Sequence, residues 1–208
     1  MAVISIIGCA GVGKSTLVRQ LAALNRAPAF FEGEEGVFPE VVTSNLITED
    51  PVGRERWFVS QYITSLQCAH AISTLGTNSF VDNASPLTIR SYAAISPNAH
   101  TQDLQELITQ LESSVADLTV VLVAKPEILA AYIAERGRVS EEVVSIAEQA
   151  ARVQEYFIKF AMEYRALVID RTGMDFHSAE DLQSIDQRIK IALREGIIDN
   201  TVEDNRLL

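Results

Sequence analysis

Residues 3–17 read Val-Ile-Ser-Ile-Ile-Gly-Cys-Ala-Gly-Val-Gly-Lys-Ser-Thr-Leu, and this stretch decides the fold. It opens with a short, mostly apolar run, which is typical of a strand buried on both faces. The segment from Gly8 to Ser15 then matches G-x-x-x-x-G-K-[ST] and leads into a helical pattern. A strand, a glycine-rich turn and a helix in this order present backbone amides and a helix N-terminus to an anion. The stretch therefore predicts a phosphate-binding loop.

The side chains of this loop suit ATP with magnesium. Its three glycines let the backbone curl, so that consecutive amides point inward at the phosphates. Lys14 supplies a positive charge to the β and γ phosphates, and the hydroxyl of Ser15 ligates Mg²⁺. Cys9 is required only for its backbone, so we assign it no chemistry. The predicted ATP-binding residues of the loop are Gly8, Ala10, Gly11, Val12, Gly13, Lys14, Ser15 and Thr16.

Composition limits the class of protein. The chain has 208 residues, 48% of them hydrophobic and 22% charged, which predicts one soluble globular domain over residues 1–208. Its net charge of −11 argues against DNA, RNA or an anionic membrane as the main partner, because these partners require an excess of basic residues. The N-terminal apolar run is too short to span a bilayer. Cys9 and Cys68 are too few for a disulfide framework, so we expect reduced thiols and a cytoplasmic protein.

Apolar runs alternate with helical patterns, and this alternation predicts an α/β fold with a five-stranded, mainly parallel sheet flanked by helices. The predicted strands are Val3–Ile7, Ala29–Phe31, Asn78–Val81, Leu118–Val123 and Leu167–Ile169. The predicted helices are Lys14–Leu24, Arg54–Leu75, Gln102–Val115, Pro126–Arg136, Ser140–Tyr164 and Ala179–Leu193. The segment from Gly33 to Gly53 shows no period, and we expect a functional loop or lid there.

Three classes of protein with such a loop compete. A switch GTPase carries N-K-x-D after a late strand, whereas this chain has Ala-Lys-Pro-Glu at residues 124–127. A helicase-type ATPase ends a strand in two carboxylates, whereas Asp82 is followed by Asn83. A single domain of 208 residues suits a small-molecule kinase. The kinase class is therefore favoured.

Within that class the chain resembles the deoxynucleoside kinase family, which is close in fold to thymidylate kinase. Residues 8–17 match the family's opening G-x-x-G-x-G-K-S-T-L. Eighteen residues after Lys14, the run Phe-Phe-Glu ends at Glu32, and the resemblance implies that this carboxylate is the general base for the acceptor hydroxyl. The family has proline next, whereas this chain has Gly33 followed by Glu34 and Glu35. The base is therefore one of these three carboxylates, with Glu32 at the matching position.

Residues 56–62, Arg-Trp-Phe-Val-Ser-Gln-Tyr, are similar to the family's aromatic helix segment. The resemblance implies that Gln61 pairs with the edge of a nucleobase, a role that suits the adjacent donor and acceptor of an amide. Trp57 then belongs to the substrate pocket. The alternative is an ordinary core helix in which Trp57 and Phe58 are packing residues.

Residues 132–142 resemble the family's lid, with Arg-Gly-Arg at 136–138. The resemblance implies that Arg136 and Arg138 close over the transferring phosphate and neutralise its charge. The alternative is a basic helix end that complements the helix dipole.

The stretch after the fifth strand, residues 168–176, resembles the family segment whose Asp-Phe pair lies beside adenine. Asp175 and Phe176 are accordingly predicted to bind ATP, with the Phe176 ring as a partial stacking surface. The alternative is a hydrophobic staple that leads into the last helix.

The chain departs from the family at three positions. The acid-Arg-Ser motif after the third strand is Asp82-Asn83-Ala84-Ser85 here, so only the acid and its predicted role in holding substrate and Mg²⁺ remain. Arg90, in the helix that follows, is a candidate replacement for the missing arginine. Cys68 stands where members often have a base-reading arginine, and Tyr132 stands where the lid arginines usually begin.

Three functional hypotheses follow. The first is a kinase that transfers the γ-phosphate of Mg·ATP to a (deoxy)nucleoside hydroxyl. The second is a thymidylate kinase-like monophosphate kinase, which needs an arginine such as Arg54, Arg56 or Arg90 for the acceptor phosphate. The third is a non-catalytic ATP-binding sensor or subunit. The resemblance also implies a homodimer formed through long helices, for which residues 54–75 and 140–164 are candidates.

Overall fold

The computed structural model describes residues 1–32, 51–95, 102–136 and 143–195. Within these ranges the chain forms one five-stranded sheet flanked by seven helices. The strands are β1 Val3–Gly8, β2 Ala29–Phe30, β3 Ser79–Asp82, β4 Leu118–Val123 and β5 Leu167–Asp170. The helices are α1 Lys14–Asn25, α2 Pro51–Ser73, α3 Pro86–Ile95, α4 Gln102–Glu112, α5 Pro126–Arg136, α6 Val143–Glu163 and α7 Ala179–Glu195.

The sheet has the order β2-β3-β1-β4-β5, and every strand pair in it is parallel. β1 lies at the centre with all six residues buried, as its apolar run predicts. The carboxyl ends of parallel strands meet at one edge, so the loops that follow β1, β2 and β3 lie together there. The predicted α/β fold class is confirmed.

The register fixes what faces the phosphate loop. Ile6 of β1 lies opposite Asp82 of β3, and Gly8 lies opposite Leu122 of β4. A methyl group at Gly8 would come within 2.6 Å of the Leu122 carbonyl oxygen. The chain therefore leaves β1 in close contact with β4 on one side and with the end of β3 on the other.

Two clusters of buried apolar side chains join the helices to the sheet. The larger contains Ile4 of β1 and Leu17 of α1, and the smaller contains Val3 of β1 and Val59 of α2. The neighbours Val3 and Ile4 thus contribute to different clusters, as expected where successive side chains of a strand point to opposite faces. Among the described residues, no helix combines the length and hydropathy needed to cross a bilayer.

Predicted and observed bounds agree to within three residues, and those of β4 and α5 coincide. Two differences are informative. The residues 51–53, predicted to end an aperiodic loop, form the first turn of α2, where Pro51 occupies a position that favours proline. Phe31, predicted as the end of the second strand, lies just beyond β2. Residues 33–50 of the predicted loop and 137–142 of the predicted lid lie outside the described residues.

The sequence predicts a helix around Arg90 but no bounds for it. The observed helix, α3, is buried along most of its first two turns. A helix covered on most sides lacks the polar face that makes a helical period visible in a sequence. The buried residues of α3 are Pro86, Leu87, Thr88, Ile89 and Ser91.

Candidate functional site

The phosphate loop is the turn between β1 and α1. Gly13, its last residue, has a φ of 90°, and a methyl group there would overlap Nη1 of Arg171. Both features explain why glycine is needed at this position. The Lys14 amine folds over the loop and donates to the Cys9 carbonyl oxygen at 3.1 Å. The loop forms one wall of a cavity of about 430 Å³, to which it contributes Gly11, Gly13, Lys14, Ser15 and Thr16.

Ser15 and Asp82 meet beside this loop. The Ser15 hydroxyl donates to Oδ2 of Asp82 at 2.5 Å, which the register of β1 and β3 makes possible. Oδ1 of Asp82 is buried and has no hydrogen-bond partner within the described part of the chain. Burial raises the pKa of Asp82 to about 6, against the opposing charge of Lys14 and with a further increase from Glu32.

This pair fits a magnesium ion. Mg²⁺ prefers oxygen ligands and binds proteins through one or two carboxylates together with substrate phosphates. Ser15 lines the cavity, and its hydroxyl bonds to the Asp82 carboxylate at the end of β3. Within the described residues, this carboxylate keeps one buried oxygen without a partner. Ser15 and Asp82 are therefore the residues that would hold the ion.

Glu32 lies directly after β2 and is held by two side chains. The Tyr62 hydroxyl of α2 and the Asn83 amide, which follows β3, both donate to its Oε1, the amide at 3.1 Å. The same amide donates to the Tyr62 oxygen at 3.1 Å, so the three groups form a closed triangle. The carboxylate is thus fixed at the strand edge that also carries the phosphate loop.

Asn83 is shaped for this contact. Its φ of 61° is a left-handed conformation that asparagine tolerates better than most residues. Its backbone amide donates to the Ile6 carbonyl at 2.9 Å, and its carbonyl accepts from Thr88 at 3.0 Å. Asn83, at the position where the resemblance predicts an arginine, therefore binds Glu32.

The aromatic segment of α2 lies behind Glu32. Tyr62 is 2% exposed, whereas Trp57 and Gln61 are half-buried. The rings of Trp57 and Phe58 meet edge to face with centroids 5.1 Å apart, and Phe58 packs against the smaller core cluster. Phe58 therefore packs in the core, whereas Tyr62 contacts the site through its hydrogen bond to Glu32. Sequence reasoning missed Tyr62, for which the only signal was its place beside Gln61.

The opposite wall of the cavity is built around Arg171, which follows β5. Its guanidinium contacts the rings of Tyr132 and Phe176, at 4.3 and 4.4 Å from their centroids. It donates to the Val12 carbonyl at 3.1 Å and to the Tyr132 hydroxyl at 2.9 Å. Burial lowers the pKa of Arg171 from its ordinary value. Sequence reasoning missed Arg171, although a lone arginine at a strand end was a visible signal.

The structure places Asp175 and Phe176 on this wall. Phe176 is 2% exposed and belongs to the same core cluster as Leu182 of α7, the arrangement that the staple alternative predicts. Asp175 receives hydrogen bonds from the His177 backbone and donates its own amide to Asp181, both at 2.9 Å. The pair thus shapes the start of α7 as well as the cavity.

Arg19 and His177 are further cavity residues that the sequence did not indicate. Arg19 lies one turn after Ser15 on α1, so both side chains share a face. Its guanidinium lies 4.8 Å from the Phe31 ring centroid, next to Glu32 in the chain. A cation therefore stands on the Glu32 side of the loop. His177 shares a hydrogen bond with Gln20 of α1 at 3.1 Å.

Of the predicted lid, residues 132–142, the structure describes only the part that lies in α5. Tyr132 and Glu135 line the cavity from this helix. The side chain of Arg136 and the whole of Arg138 lie outside the described residues, so their predicted role stays a prediction.

Arg90 is engaged away from the cavity. It forms an ion pair with Glu112 of α4 at 2.6 Å and lies 5.6 Å from the Tyr164 ring centroid. It does not line the cavity, and its role as a replacement for the missing arginine stays a prediction. Arg54 and Arg56 are the other two candidates for binding an acceptor phosphate. The side chain of Arg54 lies outside the described residues, and Arg56 is exposed on α2.

The two cysteines differ in environment. Cys9 is buried within the loop, its sulfur is 3.8 Å from Oε1 of Gln154, and burial raises its pKa to about 12. Cys68 is exposed on α2. Gln154 also bonds both backbone groups of Ala124, at 2.9 and 2.8 Å, and so ties α6 to the end of β4.

Comparison with known proteins tests the architecture. No protein-family model matches the chain, and no curated protein is similar to it in sequence. A solved structure of thymidylate kinase from Candida albicans superposes with a TM-score of 0.62 over 93% of each chain, at 16% identity. The chain has the P-loop kinase fold. At this identity the likeness establishes the fold, which the deoxynucleoside kinase resemblance also predicts.

Proposed function

We propose that this chain is an ATP-dependent phosphotransferase that phosphorylates a nucleoside or a nucleotide. The observation that carries the proposal is the grouping of three parts at adjacent strand ends. These are the phosphate loop, the Ser15–Asp82 pair and the Glu32 carboxylate held by Tyr62 and Asn83. The likeness to thymidylate kinase supports the same class of reaction.

Each residue has a role in such a transfer. The loop amides and Lys14 bind the β and γ phosphates of ATP. Ser15 and Asp82 would hold Mg²⁺, which neutralises phosphate charge when bound. Arg136 and Arg138 would add charge from the lid. Position and electrostatics supply most of the rate in phosphoryl transfer, which matches a site made of fixed charges.

The acceptor decides what Glu32 does. A hydroxyl must lose its proton, so a nucleoside acceptor needs Glu32 as general base. A phosphate group is already ionised near pH 7 and needs no base, so with a monophosphate Glu32 would bind and orient the acceptor. Two observations favour the monophosphate: Arg19 is a cation on the Glu32 side of the loop, and the similar solved structure is a thymidylate kinase. We therefore place the monophosphate first and keep the nucleoside hydroxyl as the second candidate.

An acceptor screen tests the proposal. Nucleosides, deoxynucleosides and their monophosphates are each incubated with Mg·ATP, and ADP is measured against a reaction without acceptor. We expect acceptor-dependent ADP from a monophosphate. A response to nucleosides alone would select the hydroxyl acceptor. ATP binding without any acceptor-dependent ADP would favour the non-catalytic sensor and reject the proposal.

We further propose a cytoplasmic protein with reduced cysteines that forms a homodimer through α2 and α6. The acidic composition supports a small-molecule rather than a nucleic-acid partner. Analytical ultracentrifugation tests the dimer, for which a monomeric sedimentation coefficient at micromolar concentration would be the opposing result.

A further inference from the structure

Arg171 carries a buried guanidinium and lines the cavity beside the phosphate loop. It is 6% exposed, and within the described residues no carboxylate forms an ion pair with it. Its Nε is buried without a hydrogen-bond partner in the same part of the chain. Burying a charge without an ionic partner is costly, so its retention calls for a role beyond packing.

The guanidinium already lies over two aromatic rings of the protein. Its Cζ is 4.3 Å from the Tyr132 ring centroid and 4.4 Å from the Phe176 ring centroid. Three of its N–H donors are directed at protein groups, namely the carbonyls of Val12 and Met174 and the Tyr132 hydroxyl. These contacts allow Arg171 to act on a ligand through the groups that it holds.

The most consequential of these groups is the carbonyl of Val12. Nη1 of Arg171 donates to it at 3.1 Å, and this carbonyl belongs to the peptide that joins Val12 to Gly13. In a trans peptide the C=O and N–H groups point in opposite directions. Fixing the carbonyl toward Arg171 therefore turns the Gly13 amide away from Arg171. Gly13 has a φ of 90°, so this peptide is one whose orientation needs support.

We propose that Arg171 is a positioning residue that locks the Val12–Gly13 peptide so that the Gly13 amide serves the triphosphate. Through Tyr132 it joins this peptide to α5, the helix that leads into the lid. The inference rests on the proposed function only for the identity of the ligand, a nucleoside triphosphate. It assigns Arg171 to the phosphate end of that ligand rather than to its base.

Binding of two probes shows whether Arg171 acts on the phosphate end of the ligand or on its base. Isothermal titration calorimetry compares Mg·ATP with Mg·tripolyphosphate, which has the phosphates but no nucleoside. Arg171→Met keeps the length and apolar stem but removes all donors, and we expect both affinities to fall by about tenfold, the factor that 1.4 kcal/mol represents. Arg171→Lys keeps the charge but not the planar fork, so we expect it to bind as weakly as Arg171→Met. Tyr132→Phe leaves the Val12 contact in place and should weaken binding less.

Arg188→Met is the matched control. Arg188 also donates to a carbonyl near β5, that of Val168 at 3.0 Å, but it does not line the cavity. We expect wild-type affinity for both probes in this variant. Melting temperatures without ligand are measured for all variants, because a packing role alone would lower stability and leave the affinity of the folded protein unchanged.

The outcomes decide the inference. The inference is overturned if Arg171→Met keeps wild-type affinity for tripolyphosphate, or if Arg171→Lys restores full affinity. It is also overturned if Arg171→Met has a lower affinity for ATP but an unchanged affinity for tripolyphosphate. If Arg171→Met does not fold, the Arg171→Lys titration gives the decision. The assay contains no acceptor, so a wild-type protein that binds both probes but transfers no phosphate would remove the proposed function and leave this inference standing.

Discussion

Glu32 shows at the residue scale how tertiary contacts define a role that local sequence only suggests. In the sequence, Glu32 stands eighteen residues after Lys14, the separation at which the resemblance places a general base. The structure adds Tyr62 and Asn83, which arrive from α2 and from the end of β3 and fix its Oε1. A carboxylate held in this way is suited either to take a proton or to orient an acceptor.

Replacement of Glu32 distinguishes these two roles. With a hydroxyl acceptor, Glu32→Gln should lower kcat by about 10²–10⁴, the range that general base catalysis supplies. With a monophosphate acceptor the same change should raise the acceptor KM and affect kcat much less. Steady-state kinetics with the acceptor found in the screen measures both, with ATP affinity as the control. Unchanged kcat and unchanged acceptor KM would remove Glu32 from the site.

The two cysteines should react differently. Cys9 has a pKa of about 12 because it is buried, so its neutral form persists through pH 7–9 and the reactive thiolate is scarce. Cys68 is exposed. We expect Ellman's reagent to modify one thiol per native chain at pH 8 and two in denaturant. Loss of the fast reaction in Cys68→Ser would identify it, and rapid modification of two native thiols would contradict the burial of Cys9.

Residues in the loop motif were predictable because their geometry is local. Lys14 and Ser15 follow from spacing alone, and Asp82 from its place at a strand end. The roles of Arg171 and Tyr62 were not predictable, because each depends on a contact with a group distant in sequence, the Val12 carbonyl or the Glu32 carboxylate. Sequence periodicity tells which residues are buried and not which partner they meet.

At the element scale, the phosphate loop is surrounded by three elements that are distant from it in sequence. β4 lies against it at Gly8, α5 at Gly11 and the segment after β5 at Gly13. The bounds of most elements were predictable from apolar runs and capping residues. Those of α3 were not, since it is buried along most of its first two turns.

Two glycines with the same φ allow a matched test of the loop. Gly13 and Gly76 both have φ of 90°, but only at Gly13 would a methyl group meet other atoms within 4 Å. Gly76→Ala should cost about 1–2 kcal/mol of stability from the left-handed conformation and leave ATP affinity unchanged. Gly13→Ala should in addition displace Arg171 and lower the affinity for ATP by more than about tenfold. Thermal unfolding and ATP titration measure both, and equal ATP affinity in the two variants would contradict this account.

The lid arginines give a second prediction at this scale. Arg136 and Arg138 are expected to contact the transferring phosphate, whose charge changes on the way to the transition state. The double variant Arg136→Ala, Arg138→Ala should therefore lower kcat more than it weakens ATP binding. Full activity in this variant would show that the lid does not supply charge to the reaction.

At the scale of the whole molecule, the sheet order β2-β3-β1-β4-β5 brings these parts together. β1 lies between β3, which supplies Asp82, and β4, which is followed by α5. β2 lies beyond β3 and carries Glu32 to the same edge. The alternation of strands and helices predicts this parallel arrangement, but the order of the strands depends on long-range packing that one sequence does not display.

Transfer of the γ-phosphate is the central claim, and a labelled-phosphate assay tests it most directly. The protein is incubated with γ-labelled Mg·ATP and a pool of nucleosides and nucleoside monophosphates, and the label is located by chromatography. We predict that label moves into an acceptor with the wild-type chain and stays in ATP with Lys14→Met. Label that remains in ATP or appears only as free phosphate, in a protein shown to bind ATP, would contradict the account.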